Sequence, residues 1–289
     1  MIDQRSIALS HLRTAQNPDG GWGYRGGASL TEPSAYALLA LSEDPAAEEH
    51  VRRGIQRIKS LQRPDGGWPP RSCVQQSTFV TALALLVLAG KDEPAAAGAA
   101  RWLLGQTGQE STFVQKLRLR LLGTPPPTEA FDGWPWYPGA AAWVTPTALA
   151  LMALKKAART FSDPRLRTRL EAGASFLWSR VCRDGGWNHG STKALGYEAG
   201  SYPETTGVAL LALHGHPTPK LAAALSAAEG HYRTCRSAEG MAWLRMGLLA
   251  HSRLAAQPPA KEVRCYTVMD HALTALALQS VAENHPLLG

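Results

Sequence analysis

Residues 48–88 read EEHVRRGIQRIKSLQRPDGGWPPRSCVQQSTFVTALALLVL, and three parts of that stretch set the expectation for the whole chain. In residues 48–61, Val51, Ile55, Ile58 and Leu61 recur at the spacing of one helix face, with Arg52, Arg53, Arg57 and Lys59 between them. That pattern predicts an amphipathic helix. The second part, Asp65-Gly66-Gly67-Trp68, predicts a sharp reversal of the chain. Gly-Gly opens backbone angles closed to other residues, Asp accepts from nearby N–H groups, and Trp plugs the gap between adjacent helices. The third part, residues 81–88 (TALALLVL), is apolar and has no polar face. It predicts a helix buried on every side, whose alanines allow close approach.

These parts recur. Asp-Gly-Gly-Trp stands at residues 19–22, 65–68 and 184–187, and a shortened Asp132-Gly133-Trp134 makes a fourth copy. Behind them come AYALLAL (35–41), TALALLVL (81–88), TALALMAL (147–154) and TGVALLAL (206–213), and HALTALAL (271–278) follows without a Gly-Trp motif ahead of it. The aspartates are 46, 67 and 52 residues apart, so one repeat has room for two helices and their loops. The long gap is expected to hold extra material at residues 108–128. A degenerate unit is expected at residues 240–251, where Trp243, Leu248 and Leu249 echo the pattern. About six units fit the chain. Alternating half-buried and fully buried helices predicts concentric layers, outer helices shielding inner ones. Gln16 and Gln62, three residues before the aspartates, are expected to bond across to the next repeat, and the tryptophans to act as staples.

Composition narrows the functional classes. The chain has 289 residues, 45% of them hydrophobic, which suits a substantial core and argues against disorder. Its net charge of +7 comes from scattered Lys and Arg with no basic arm, so no nucleic-acid partner is expected. No apolar run approaches the ~20 residues of a membrane span, and the first residues lack a secretory stretch. The expectation is a cytoplasmic protein. Cys73, Cys182, Cys235 and Cys265 are widely spaced without a CxxC pair, which predicts reduced thiols.

Arg53-Gly54, Ile58, Gln62, Gly66 and Trp68 follow a known motif: Arg or Lys, Gly, an apolar residue, Gln, then Gly-x-Trp. With these residues the chain resembles the QW-repeat proteins, namely squalene–hopene cyclases, oxidosqualene cyclases and smaller bacterial relatives. The third copy departs from the motif, with Val181 in place of Gln. The resemblance implies an all-α fold, an α/α toroid of about six helix hairpins around a central cavity, as one domain over residues 1–289. Protein prenyltransferase β subunits share that toroid.

The resemblance also implies chemistry. The ligand would be an isoprenoid or other apolar small molecule, and the reaction a proton-initiated cyclisation or isomerisation without a cofactor. In class II terpenoid cyclases the acid stands at the start of an inner helix, the register of Glu32, Phe79, Thr145, Glu204 and Met269 here. An Asp-x-Asp-Asp motif is missing from this sequence, and Tyr202-Pro203-Glu204-Thr205-Thr206 is the best partial match. Glu204 is therefore the leading candidate for the general acid, with Asp270 or His271 supplying a hydrogen bond to tune it and Glu32 as the alternative. Acids at helix starts also read as caps. Tyr36, Phe79, Trp143, Tyr202 and Tyr266, on or near inner-helix starts, are candidates for a cavity wall that stabilises a carbocation. Two alternatives remain open. A prenyltransferase-like zinc site would use Cys265, Asp270 and His271, and a non-catalytic toroid would hold a lipid or peptide. A helical partner subunit or peripheral membrane contact accompanies these readings.

Overall fold

The computed structural model describes residues 3–109, 132–190, 193–194, 197–254, 263–279 and 285–288, with backbone alone at 193–194 and 197–198. Most of the extra material expected at residues 108–128 lies outside the described residues. Eleven α-helices are described. Five form an outer layer: α1 (Gln4–Thr14), α3 (Glu48–Ser60), α5 (Glu93–Leu104), α7 (Leu166–Ser179) and α9 (Leu221–Thr234). Six form an inner layer: α2 (Thr31–Leu41), α4 (Val80–Leu88), α6 (Val144–Ala157), α8 (Pro203–Ala212), α10 (Ala238–Ala250) and α11 (Val268–Gln279). The inner helices pack in chain order, and α11 returns to pack on α2, so the ring is closed. The chain is an α/α toroid.

The layers follow the residue pattern. Every described residue of α4 is buried, as is every residue of α2 except Glu32. By contrast, α3 buries only Gly54 and Ile58 fully, while Val51 and Ile55 lean on the core from its inward stripe. The degenerate unit at residues 240–251 is α10, buried on all faces from Gly240 onward. Among the described residues no outer helix separates α10 from α11, and no helix is long and apolar enough to cross a membrane. All four cysteines are free thiols.

The Gly-Trp motif repeats the same bonds. Trp22, Trp68, Trp134 and Trp187 are all at most 1% exposed. Their indole N–H groups donate to Leu12, Ile58, Leu103 and Leu177 carbonyls near the ends of outer helices, at 2.7–2.8 Å. Their backbone N–H groups donate to Ser34, Thr81, Thr147 and Thr206 hydroxyls on the inner helices. Each indole thus staples an outer helix to an inner one, with about 3 kcal/mol of apolar burial behind it. The first glycine of the motif has a left-handed backbone, φ +86° at Gly20 and +88° at Gly66, and a Cβ there would meet a carbonyl at 2.8 or 2.6 Å. No other residue fits that turn without strain. Gln16 and Gln62 bond across to the His50 and Ala95 carbonyls of the following outer helix. In the shortened copy Arg169 takes over this work, donating to Asp132 and Gln106 carbonyls while its guanidinium lies 3.7 Å from the Trp134 ring centre.

A second set of bonds runs around one end of the ring. Two residues after each motif Trp, a carbonyl accepts from the N–H at an inner-helix start: Pro70 from Thr31, Trp136 from Phe79, His189 from Val144, and Tyr24 from Val268. The last of these joins the final inner helix to the first loop. This belt fixes the starts of four inner helices at one mouth and hangs the residue after each motif over its rim.

Candidate active site

The mouth is built from residues at the starts of the inner helices and from the belt. Glu32, Glu204 and Glu239 are the second residues of α2, α8 and α10, and Asp270 is the third residue of α11. Those helices follow one another as α8, α10, α11, α2 around the ring, so the four carboxylates occupy one arc. The other arc is aromatic. Phe79, at the start of α4, meets Trp136 edge-on at 4.5 Å between ring centres. Trp143 and Tyr202, at the starts of α6 and α8, flank His189 at 6.1 and 5.3 Å.

Glu239 is the most perturbed carboxyl of the acidic arc. Burial, followed by the charges of Glu204, Glu32 and Asp270, lifts it from the ordinary range to about 7. Burial also raises Glu32, and this is partly offset by the hydrogen bond its carboxylate accepts from the Tyr24 hydroxyl. Tyr24 and Tyr36 are in turn held in the neutral phenol form, by burial first and then by Glu32. The arc therefore combines one acid that stays protonated near neutrality with nearby carboxylates that repel its ionisation.

The floor lies one turn deeper. Tyr36 and Trp243 stand four residues after Glu32 and Glu239, and their rings meet edge-on at 6.0 Å. Helices α2 and α10 are not neighbours in the ring, so this contact crosses its interior. Below it the described residues of α2, α4, α8 and α10 are buried on every face, and the axis there is filled by side chains.

The residues expected from sequence divide accordingly. Glu204 and Glu32 reach the mouth, and neither makes a side-chain cap at its helix start. Asp270 does cap: its carboxylate accepts from the Tyr266 and Thr267 N–H groups, and Thr267 accepts back from Asp270 N–H. His271 turns to the outer layer, stacked on His11 of α1 at 3.9 Å, and burial lowers it to about 4. The tuning hydrogen bond to Glu204 expected from Asp270 or His271 is therefore not made, because one is spent on a helix cap and the other faces α1. Phe79, Trp143 and Tyr202 reach the rim, Tyr36 lies in the floor, and Tyr266 stands 68% exposed just ahead of α11. For the zinc alternative, Cys265 lies against Thr274 and the Val263 carbonyl. Among the described residues no three His, Cys, Asp or Glu side chains converge to hold a metal.

Sequence reasoning missed Glu239, Tyr24, Trp243 and His189. Counting back four residues from Trp243 gives Glu239, as counting back four from Tyr36 gives Glu32. Tyr24 and His189 share a fixed offset of two after a motif Trp.

No known protein-family profile matches the sequence, and no curated protein matches it either. Solved structures match the fold along nearly the whole chain. The type II terpene cyclase MstE from Scytonema, in complex with merosterolic acid A, is 19% identical, with 95% of this chain and 78% of that one covered, at a TM-score of 0.57. The family 8 glycosyl hydrolase Cel10, an endoglucanase from Klebsiella pneumoniae, is 15% identical, with 94% and 99% covered, at a TM-score of 0.61. An α-amylase from Clostridium perfringens is 10% identical, with 96% and 97% covered, at a TM-score of 0.63. At these identities the likeness is one of fold, and it is shared between two chemistries.

Proposed function

We propose that the chain is an acid catalyst of the terpenoid cyclase kind, which protonates an apolar isoprenoid chain held over the mouth. The observation that carries this reading is Glu239, a carboxyl poised near pH 7 in an arc that faces aromatic rings. The Glu239 O–H adds its proton to a terminal alkene carbon, and the alkene electron pair forms the new C–H bond. The cation left on the adjacent carbon is attacked by the next alkene to close a ring. The final cation loses a proton to an ionised carboxylate of the arc, which balances the step. Carboxylates around Glu239 and the faces of Trp143 and Tyr202 favour the cation by charge and by their quadrupoles. Glu204 is assigned to the final deprotonation, and Tyr24 to holding Glu32 in place.

The test is incubation with squalene and with farnesyl and geranylgeranyl diphosphates, reading products by gas chromatography and mass spectrometry. Cyclic products are expected from the wild type, and a loss of about 10²-fold or more from Glu239→Gln. Turnover unchanged in that variant would remove Glu239 from the mechanism.

A second reading is hydrolysis of a glycosidic bond, with Glu239 as acid and Glu204 as base. It is favoured by Trp143 and Tyr202, which are 37% and 45% exposed beside the carboxylates and present faces on which a sugar can stack. Release of reducing sugar from a glucan or mannan, without turnover of any isoprenoid, would put this reading in place of the first.

A further inference from the structure

Each inner helix that follows a Gly-Trp motif is bonded to that motif at its start: the Leu30, Thr78, Trp143 and Tyr202 N–H groups donate to the Trp22, Trp68, Trp134 and Trp187 carbonyls. Those four bonds hold α2, α4, α6 and α8, and the belt holds α2, α4, α6 and α11. Among the described residues α10 alone has neither, since no motif stands directly ahead of it and none follows it in the chain. Its start is closed within its own segment, where Ser237 accepts from the Gly240 N–H through its hydroxyl and from the Met241 N–H through its carbonyl. What ties α10 to its neighbours lies deeper. Arg245 donates to the Ala277 carbonyl of α11, and the His251 ring bonds the Leu210 carbonyl of α8. Along α8 the helix rests on glycine. A Cβ on Gly240 would stand 3.0 Å from Pro203, one on Gly207 2.3 Å from the Trp243 backbone, and one on Gly247 2.7 Å from the Gly207 carbonyl. Backbone laid on backbone has few interlocked side chains to resist a small slide.

We infer that the mouth end of α10 is a movable gate, which tilts about its deeper half along the α8 seam and carries Glu239 into and out of the carboxylate arc. Drawn in, Glu239 is buried among Glu204 of α8, Glu32 of α2 and Asp270 of α11, and burial and those charges raise it. The Tyr24 and Tyr36 phenols also face it, and Arg236 and Arg264 stand with Asp270 around the cleft between the segments that lead into α10 and α11. Drawn back, the carboxyl leaves its neighbours for water, so its ionisation favours the open position. Whatever the reaction at the mouth, the acid then keeps its proton near pH 7 only while the gate is closed.

Amide hydrogen exchange of the whole chain tests the gate. Residues 242–245 of α10, 35–38 of α2 and 84–87 of α4 are all at most 4% exposed. Despite that equal burial, 242–245 are expected to exchange about 10²-fold faster than the other two groups. Val268→Pro deletes the N–H that Tyr24 accepts, at a first helical position that suits proline. It is expected to speed exchange at residues 272–275 of α11 about tenfold and to leave 84–87 unchanged. Glu239→Gln has no charge to expel, and is expected to slow exchange at 242–245 about tenfold at pH 8, with little effect at pH 5. Exchange at 242–245 as slow as in α2 and α4 would overturn the gate, and that comparison needs no variant. So would unchanged exchange at 272–275 in Val268→Pro, since the belt would then hold nothing. Equal exchange in the wild type and Glu239→Gln at both pH values would overturn it too, because the helix would move without regard to its acid.

Discussion

At the scale of single residues, the raised Glu239 carboxyl ties stability to function. An acid whose folded value lies above its unfolded one contributes stability that is fully present below about 4.5 and is lost as pH rises through about 7. The loss is on the order of 3 kcal/mol across that window. Glu239→Gln removes the ionisation and is expected to raise the melting temperature at pH 8, with little effect at pH 4, while it abolishes proton transfer. Melting curves at the two values check this, and a variant destabilised equally at both would contradict it. Tyr24→Phe deletes the hydrogen bond to Glu32 and exposes that carboxylate to its neighbours. It is expected to shift the alkaline limb of the pH–rate profile rather than eliminate activity. A profile identical to the wild type would rule out a positioning role.

At the scale of elements, two devices hold the ring, and they differ in how readable they were. The staples were legible, because Asp-Gly-Gly-Trp names every participant: turn, acceptor and plug. Trp68→Ala is expected to cost about 3–5 kcal/mol in urea denaturation, since it leaves a cavity and removes one of the two hydrogen bonds to the Ile58 carbonyl. The close crossing of α8 on α10 was not legible. A Cβ on Gly207 would stand 2.3–2.6 Å from the Trp243 and Leu244 backbone, and one on Gly247 would stand 2.7 Å from the Gly207 carbonyl. Glycine inside a helix reads from sequence as a weakness, and its use appears only when the partner backbone is in place. Gly207→Ala is accordingly expected to destabilise by about 3 kcal/mol, more than the gain in helix propensity returns. Glu239 was hidden for a related reason. Its helix lacks both the Gly-Trp motif and the alanine–leucine string, so the one mark of its register was Trp243, four residues further on. Asp270 was read as a tuning group, yet it caps its helix, because a carboxylate at a helix start is drawn first to nearby backbone N–H groups.

For the molecule as a whole, the ring sorts charge by end. The mouth gathers four carboxylates in a chain whose net charge is +7. At the opposite end Lys155 donates to the Ala212 and His214 carbonyls and Lys156 to those of Leu86 and Pro286, so the inner helices finish against cations. Burial lowers both lysines to about 8. Closure through α11, α2 and the Tyr24–Val268 bond brings Glu32, from the first inner helix, against acids of the last ones. An acid near pH 7 is thus a product of ring closure and not of any single repeat. The most direct test is a titration of ¹³C-labelled glutamate side chains by NMR, comparing the wild type with Glu239→Gln. One carboxyl titrating close to pH 7, and missing in the variant, is the expected result. If every glutamate titrates below pH 5, the proton donor assigned to the mouth does not exist.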